Sequence, residues 1–218
     1  MNDIDLSIYL VTDSDMMRTA GHHAVDAVRR AVDGGVTTVQ VRDKHADAGA
    51  TLAYLEALGQ ALPPSIPVLV NDRIDVYLAA RNRGIPVAGV HIGQCDLPAR
   101  ETRAMIGPDA VLGLSAATRE ELEAAHRSPA AVDYVGIAAV RSTDSKPDHP
   151  DALGVEGVIE RAGTCPLPAV AIGGVLPDDL PALRTGGLAG AAVVSWICAA
   201  DDPHTSARVL ADAWEAGA

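Results

Sequence analysis

Eight times along the chain a short apolar run gives way to a polar or glycine-containing loop, then an amphipathic stretch. In most units a glycine then precedes the next run. The runs are Ser7–Val11, Val36–Val41, Val68–Val70, Ala88–Ile92, Val111–Leu114, Asp133–Ile137, Ala169–Ile172 and Ala191–Val194. Runs this apolar, alternating with helical stretches, predict strands of a parallel sheet covered by helices. Eight units predict an α/β chain closed into one (βα)8 (TIM) barrel over residues 1–218. The length is at the short end for that architecture. The rival is a doubly wound open sheet, which would carry a Gly-rich dinucleotide turn after its first strand. Thr12-Asp13-Ser14 is not such a turn.

The punctuation agrees. Gly34-Gly35, Gly84, Gly107, Gly163 and Gly186-Gly187 lie where a glycine would stop a helix. Thr118-Arg-Glu-Glu121 fits a capping box, and Asp202 reads as an N-cap ahead of Pro203. Pro177 fits a first helical turn. Phe is absent and aromatics make up 3%, so Val, Ile, Leu and Ala must fill the core, as suits a narrow barrel interior.

The formal net charge of −12 is a poor footprint for nucleic acid, which is bound by clustered Lys and Arg. An anion site on this chain has to be positive locally. Cys95, Cys165 and Cys198 form no CxxC pair and are odd in number, which indicates neither a disulfide framework nor a thiolate zinc site. The acidic start lacks a basic signal-peptide region, and the run Leu188–Ala200 is too short to span a bilayer. The expected setting is cytoplasmic, with small-molecule substrates and no nucleic-acid or membrane partner. A homo-oligomer stays open.

In a barrel, chemistry is read at the C-terminal ends of the strands. After the second run, Gln40, Arg42 and Lys44 alternate with Val39 and Val41, so the valines suit the helix side and the polar trio turns inward. A buried guanidinium needs a partner. Arg42 can find it in an internal salt bridge, for which Asp43 is a candidate, or in a bound anion, and the inward face offers no acid of its own. Asn71-Asp72 and Asp96 end adjacent strands, whose spacing of about 4.8 Å lets two carboxylates share one cation. Magnesium held with substrate phosphates uses such a pair, although an aspartate at a strand–helix junction also serves as a cap. His91 reads as a structural hydrogen-bonder.

Ser115 ends the fifth run. The stretch from Arg141 to Asp151, long for a strand–helix loop, reads as a lid whose hydroxyls and Lys146 can close over phosphate oxygens. Gly173-Gly174 after the seventh run and Val194-Ser195 after the eighth occupy the usual phosphate site of such barrels.

In order along the chain stand YLVTD, QVRDK, VNDR, HIGQCDLPA, GLSAAT, YVG, a Thr-x-Ser-Lys-Pro loop, AIGGV and AAVVS. This ordered set resembles the thiamine-phosphate synthase family over nearly the whole chain. The resemblance implies coupling of a hydroxymethylpyrimidine diphosphate with a thiazole phosphate, releasing pyrophosphate. It further implies that Gln40, Arg42, Lys44, Asn71, Ser115 and Lys146 hold the pyrimidine diphosphate. Arg42, Lys44, Lys146 and Ser115 would be the catalytic set. Asp72 and Asp96 would hold one Mg²⁺, and Thr143, Asp144, Ser145, Gly174, Val194 and Ser195 would surround the thiazole phosphate.

Two positions depart from the family pattern. Ala139, Arg141 and Ser142 replace a proline–aromatic–proline stretch, with Ser145 for a threonine, and Arg141 is expected to reach phosphate oxygens or Asp144. Ala117 stands where a related barrel, the thiazole tautomerase, has a proton-transferring His. Three functions follow as alternatives: the synthase, the tautomerase, and a barrel that binds thiazole phosphate without turnover. Asp72, Asp96 and Lys146 together favour the first.

Overall fold

The structure is a computed structural model that describes residues 4–43, 45–142 and 152–218. Its elements run β1 (Ile8–Val11), α1 (Ser14–Thr19), α2 (Ala24–Asp33), β2 (Thr38–Val41), α3 (Ala48–Ala61), β3 (Val68–Asn71), α4 (Ile74–Asn82), β4 (Gly89–Ile92) and α5 (Ala99–Ile106). They continue β5 (Val111–Ser115), α6 (Arg119–Arg127), β6 (Tyr134–Ala138), α7 (Gly154–Ala162), β7 (Ala169–Ile172), α8 (Leu180–Thr185), β8 (Gly190–Val193), α9 (Ser195–Cys198) and α10 (Pro203–Glu215). The strands pair in parallel and in sequence order, and β8 returns to β1 to close the barrel. All eight expected strands are present, with ends displaced by at most two residues.

Strand alternation separates two cores. Val39, Val41, Val68, Val70, Val90, Ile92, Leu112 and Leu114 point outward and pack beneath the helices. Leu6, Tyr9, Val11, Leu69, Val111, Tyr134, Val170 and Ala192 form the smaller core inside the barrel. Two of the chain's four tyrosines therefore stand on the barrel axis, in a sequence that has no Phe to fill it.

The helix signals hold in detail. Thr118 and Glu121 form the reciprocal capping box of α6. Asp202 caps α10, accepting from the His204 and Thr205 backbone N–H groups. Gly34, Gly107, Gly163 and Gly186 stand at helix C-caps. Pro177 opens a 3₁₀ turn, Pro177–Asp179, that runs into α8.

At the N-terminal end of the strands Arg103 ties the loops together. It donates to the carbonyls of Gly107, Ala110, Ala130 and Ala131 and to Asp133, whose carboxylate also accepts from the Leu112 N–H. Among the described residues no helix is long and apolar enough to cross a membrane.

Candidate active site

The C-terminal ends of the strands surround a cavity of about 260 Å³. Each strand delivers polar groups to it by the inward register. Gln40 is 3% exposed and faces the cavity, while its neighbours Val39 and Val41 face the helices. Arg42, two residues on, lies on the same wall, its backbone N–H held by the Thr12 hydroxyl at 3.1 Å. Asp43 turns away and accepts from the backbone of His45 and Ala46. Among the described residues Arg42 takes part in no ion pair within 4 Å, so the internal salt bridge is set aside.

Asp72 and Asp96 are not helix caps. The N-cap positions of α4 and α5 are Arg73 and Pro98, and neither makes a side-chain cap hydrogen bond. Asp72 instead occupies the left-handed region at φ 59°, rare for a residue with a side chain. Its backbone N–H is tied to the His91 carbonyl at 2.9 Å. Asp96 is fixed by the Gly93 N–H at 2.7 Å. Both carboxyl groups line the same cavity, and Asp96 acts on Asp72 as a like charge. Although Asp72 still touches solvent, crowding of its carboxyl by the surrounding protein, then the like charge of Asp96, pushes its pKa up to about 6. Asn71 and Arg42 oppose that rise. A left-handed backbone at Asp72 and a like-charge pair thus meet at one rim of the cavity.

Across the barrel floor runs a chain of short hydrogen bonds. Gln40 Nε2 donates to the Tyr9 hydroxyl at 2.7 Å, and that hydroxyl lies 2.7 Å from the Tyr134 hydroxyl. Tyr134 Oη is 2.9 Å from His91 Nδ1, and His91 Nε2 is 3.0 Å from Ser115 Oγ. His91 is thus the hydrogen-bonder expected of it. The tyrosines are the part that sequence reasoning missed. The available signal was Tyr9, in the same inward register as Gln40 on the neighbouring strand.

On the opposite side Gly173 (φ 89°) and Gly174 (φ 68°) make two successive left-handed turns, a conformation a side chain would strain. Val194 and Ser195 line the same wall. Arg141 takes a partner that the sequence did not point to, while Asp144 lies outside the described residues. Its guanidinium grips Asp179 with two bonds, 2.5 and 2.7 Å, and donates to the Gly174 carbonyl at 3.0 Å. Burial raises the Asp179 pKa but Arg141 and the Leu176 N–H outweigh it, leaving the carboxyl below its ordinary value. Asp179 is 5% exposed, and a buried carboxylate must find its counter-charge inside the protein.

The structure therefore brings Gln40, Arg42, Asn71, Asp72, Asp96, Ser115, Gly174, Val194 and Ser195 to one cavity. Lys44, Thr143, Asp144, Ser145 and Lys146, and with them residues 143–151 of the expected lid, lie outside the described residues.

A family model for thiamine monophosphate synthase matches residues 8–197. The chain belongs to this family. It is similar to a thiamine-phosphate synthase of Corynebacterium efficiens, 45% identical with 94% of each chain covered. Another, of Azorhizobium caulinodans, is 43% identical over 94% of this chain and 93% of its own. Among solved structures, a thiamine phosphate pyrophosphorylase of Pyrococcus furiosus superposes with a TM-score of 0.83 at 29% identity. That likeness covers 97% of this chain and 96% of the other. The chain is thus a thiamine-phosphate synthase type of enzyme, a transferase of thiamine biosynthesis. Ala117 is not among the described residues lining the cavity, and its backbone N–H donates to Glu121 at 2.7 Å as part of the α6 start.

Proposed function

We propose that this chain couples 4-amino-2-methyl-5-hydroxymethylpyrimidine diphosphate with a thiazole phosphate, carboxylated or not, to give thiamine phosphate and pyrophosphate. The observation that carries this reading is the facing arrangement of Arg42 and the Asp72–Asp96 pair on one side of the cavity and the Gly173-Gly174 turn on the other. One side suits a diphosphate with its cation, the other a phosphate monoester approached by backbone N–H groups.

The residues present fit a single magnesium ion. Burial, and then the like charge of Asp96, raise the Asp72 pKa to about 6, and the like-charge part is a repulsion that a hard cation would relieve. Asp72 and Asp96 would hold it, where it would neutralise charge on the departing diphosphate.

In the reaction the bond between the pyrimidine methylene and the diphosphate oxygen breaks, and its electron pair leaves with pyrophosphate. The aminopyrimidine ring stabilises the resulting cation, and the thiazole nitrogen then donates its lone pair to the methylene carbon. No strong base is required. Arg42 stabilises charge developing on the leaving group, an effect that grows toward the transition state. Ser115 and Asn71 hold the pyrimidine diphosphate beside it. Lys44 and Lys146 belong to the same proposed set, and Thr143, Asp144 and Ser145 to the thiazole-phosphate side. We read the chain as one domain working in the cytoplasm, where two charged substrates are retained. Ala117 carries no group for proton transfer, so the tautomerase reading has no observation in its favour.

The test is to mix both substrates with Mg²⁺ and assay pyrophosphate and thiamine phosphate together. Equal amounts of the two are expected, with none after chelation. Binding of thiazole phosphate without either product would overturn the proposal.

A further inference from the structure

The sense in which the hydrogen-bonded chain on the barrel floor passes its protons governs what its two ends can recognise. Burial drives the pKa of both Tyr9 and Tyr134 above the ordinary tyrosine value, so each hydroxyl keeps its one proton. A hydroxyl carries one proton and two lone pairs, so distance alone allows either sense between Tyr9 and Tyr134 and either tautomer at His91. With Gln40 Nε2 donating to Tyr9, the sense in which each member passes its proton onward runs from Tyr9 to Tyr134, to His91 Nδ1, and from His91 Nε2 to Ser115 Oγ. That sense leaves the Ser115 proton and the Gln40 carbonyl oxygen for the cavity.

The backbone has been cleared to make this chain. A Cβ on Gly113 would come within 2.2 Å of the Tyr134 ring, and one on Gly136 within 3.3 Å of His91 Cε1. The Tyr134 ring sits with its centroid 6.0 Å from that of Tyr9 and 5.5 Å from that of His91. Two glycines inside strands give up side-chain packing for this arrangement.

We infer that Tyr9, Tyr134 and His91 are positioning residues that hold Gln40 as a hydrogen-bond acceptor and Ser115 as a donor. The cavity therefore selects a ligand with an N–H at the Gln40 end and an acceptor oxygen or nitrogen at the Ser115 end. This rests on the proposed reaction, whose pyrimidine carries an exocyclic amine and whose diphosphate carries acceptor oxygens. Severing the chain leaves Gln40 and Ser115 in place but lets the amide turn over and present its NH₂ group instead.

The experiment compares binding of two pyrimidine diphosphates by calorimetry with Mg²⁺ present. One is the 4-amino substrate; the other carries a 4-oxo group, which puts a lone pair where the amine had a proton. The intact protein is expected to prefer the amino compound by about tenfold or more, the usual scale for a polar site facing the wrong partner. Tyr9→Phe and Tyr134→Phe each keep the ring and remove one link, and each should shrink that preference to about twofold. The double variant should lose no more than either single one, because the chain is already broken. Equal weakening of both ligands with the preference intact, or additive losses in the double variant, would overturn the positioning chain while leaving the reaction standing. An intact protein that neither binds nor turns over the amino compound would overturn the reaction and this inference together. If Tyr134→Phe does not fold, Tyr9→Phe alone decides, since it cuts the same chain beside Gln40.

Discussion

The two ends of the barrel treat a guanidinium in opposite ways. At the N-terminal end Arg103 satisfies itself on four loop carbonyls and Asp133, and its side chain is 13% exposed. At the C-terminal end Arg42 lines the cavity and takes part in no ion pair among the described residues. The same side chain is a staple where its partners belong to the protein and a binding group where they are left to a ligand. Arg141 stands between these cases: it is at the functional end, but Asp179 already holds it. The teaching is that position in the barrel says which end an arginine serves, and the availability of a buried carboxylate says whether it serves structure or ligand.

The largest expected effect breaks the contrast at its structural end. Arg103→Ala takes the guanidinium away from the nearly buried Asp133 and from four loop carbonyls, and should lower stability by about 3–5 kcal/mol. At a temperature where the variant is folded, kcat/KM should be unchanged. Arg42→Ala should do the reverse, costing about 2–4 kcal/mol of transition-state stabilisation with little change in Tm. Denaturant melts and steady-state kinetics on both variants check the pair. If both lose stability alike, the distinction between the two ends is wrong.

A smaller effect sharpens the middle case. Arg141→Ala should cost about 1–3 kcal/mol of stability, the scale for leaving a buried acceptor with too few partners. It should also raise the KM for thiazole phosphate, because the Gly174 carbonyl loses the bond that anchors its turn. Gly174→Ala should mimic this with added strain, since its Cβ would come within 2.8 Å of Arg141 Cβ. Stability loss without any KM change would make Arg141 purely structural.

The smallest effect is a pH dependence at the carboxylate pair. The folded chain binds the Asp72 proton more tightly than the unfolded chain, with a pKa of about 6 against the ordinary 3.8. This group therefore favours the folded state at low pH, and that contribution is lost as pH rises from about 4 through 6. Saturating Mg²⁺ should reverse the trend, because metal binding needs the deprotonated carboxylate and weakens as pH falls through 6. Melting curves across this range with and without Mg²⁺ check both signs. Identical curves would remove Asp72 from the metal site.

Much of this was legible in the amino-acid order. Strand positions follow from apolar runs, because a strand buried on both faces has no other composition available to it. Helix ends follow from Thr118, Glu121 and Asp202, whose side chains cap by local hydrogen bonds that need no distant partner. The inward direction of Gln40 and Arg42 follows from strand alternation alone.

Tertiary structure alone decided the rest, and in each instance the cause is a contact between residues far apart in the chain. The sequence left Asp72 and Asp96 open as caps or ligands, since a carboxylate after a strand is chemically suited to either; the uncapped starts of α4 and α5 settle that they are not caps. Arg141 offered a free cation in the sequence, and only the fold brings Asp179, 38 positions later, against it. The hydrogen-bonded chain joins Tyr9 to Tyr134 across 125 positions and His91 to Ser115 across 24. A residue's own chemistry says what it can donate or accept, but which proton it gives, and to whom, is fixed only when closure of the barrel sets β1, β4, β5 and β6 around one axis.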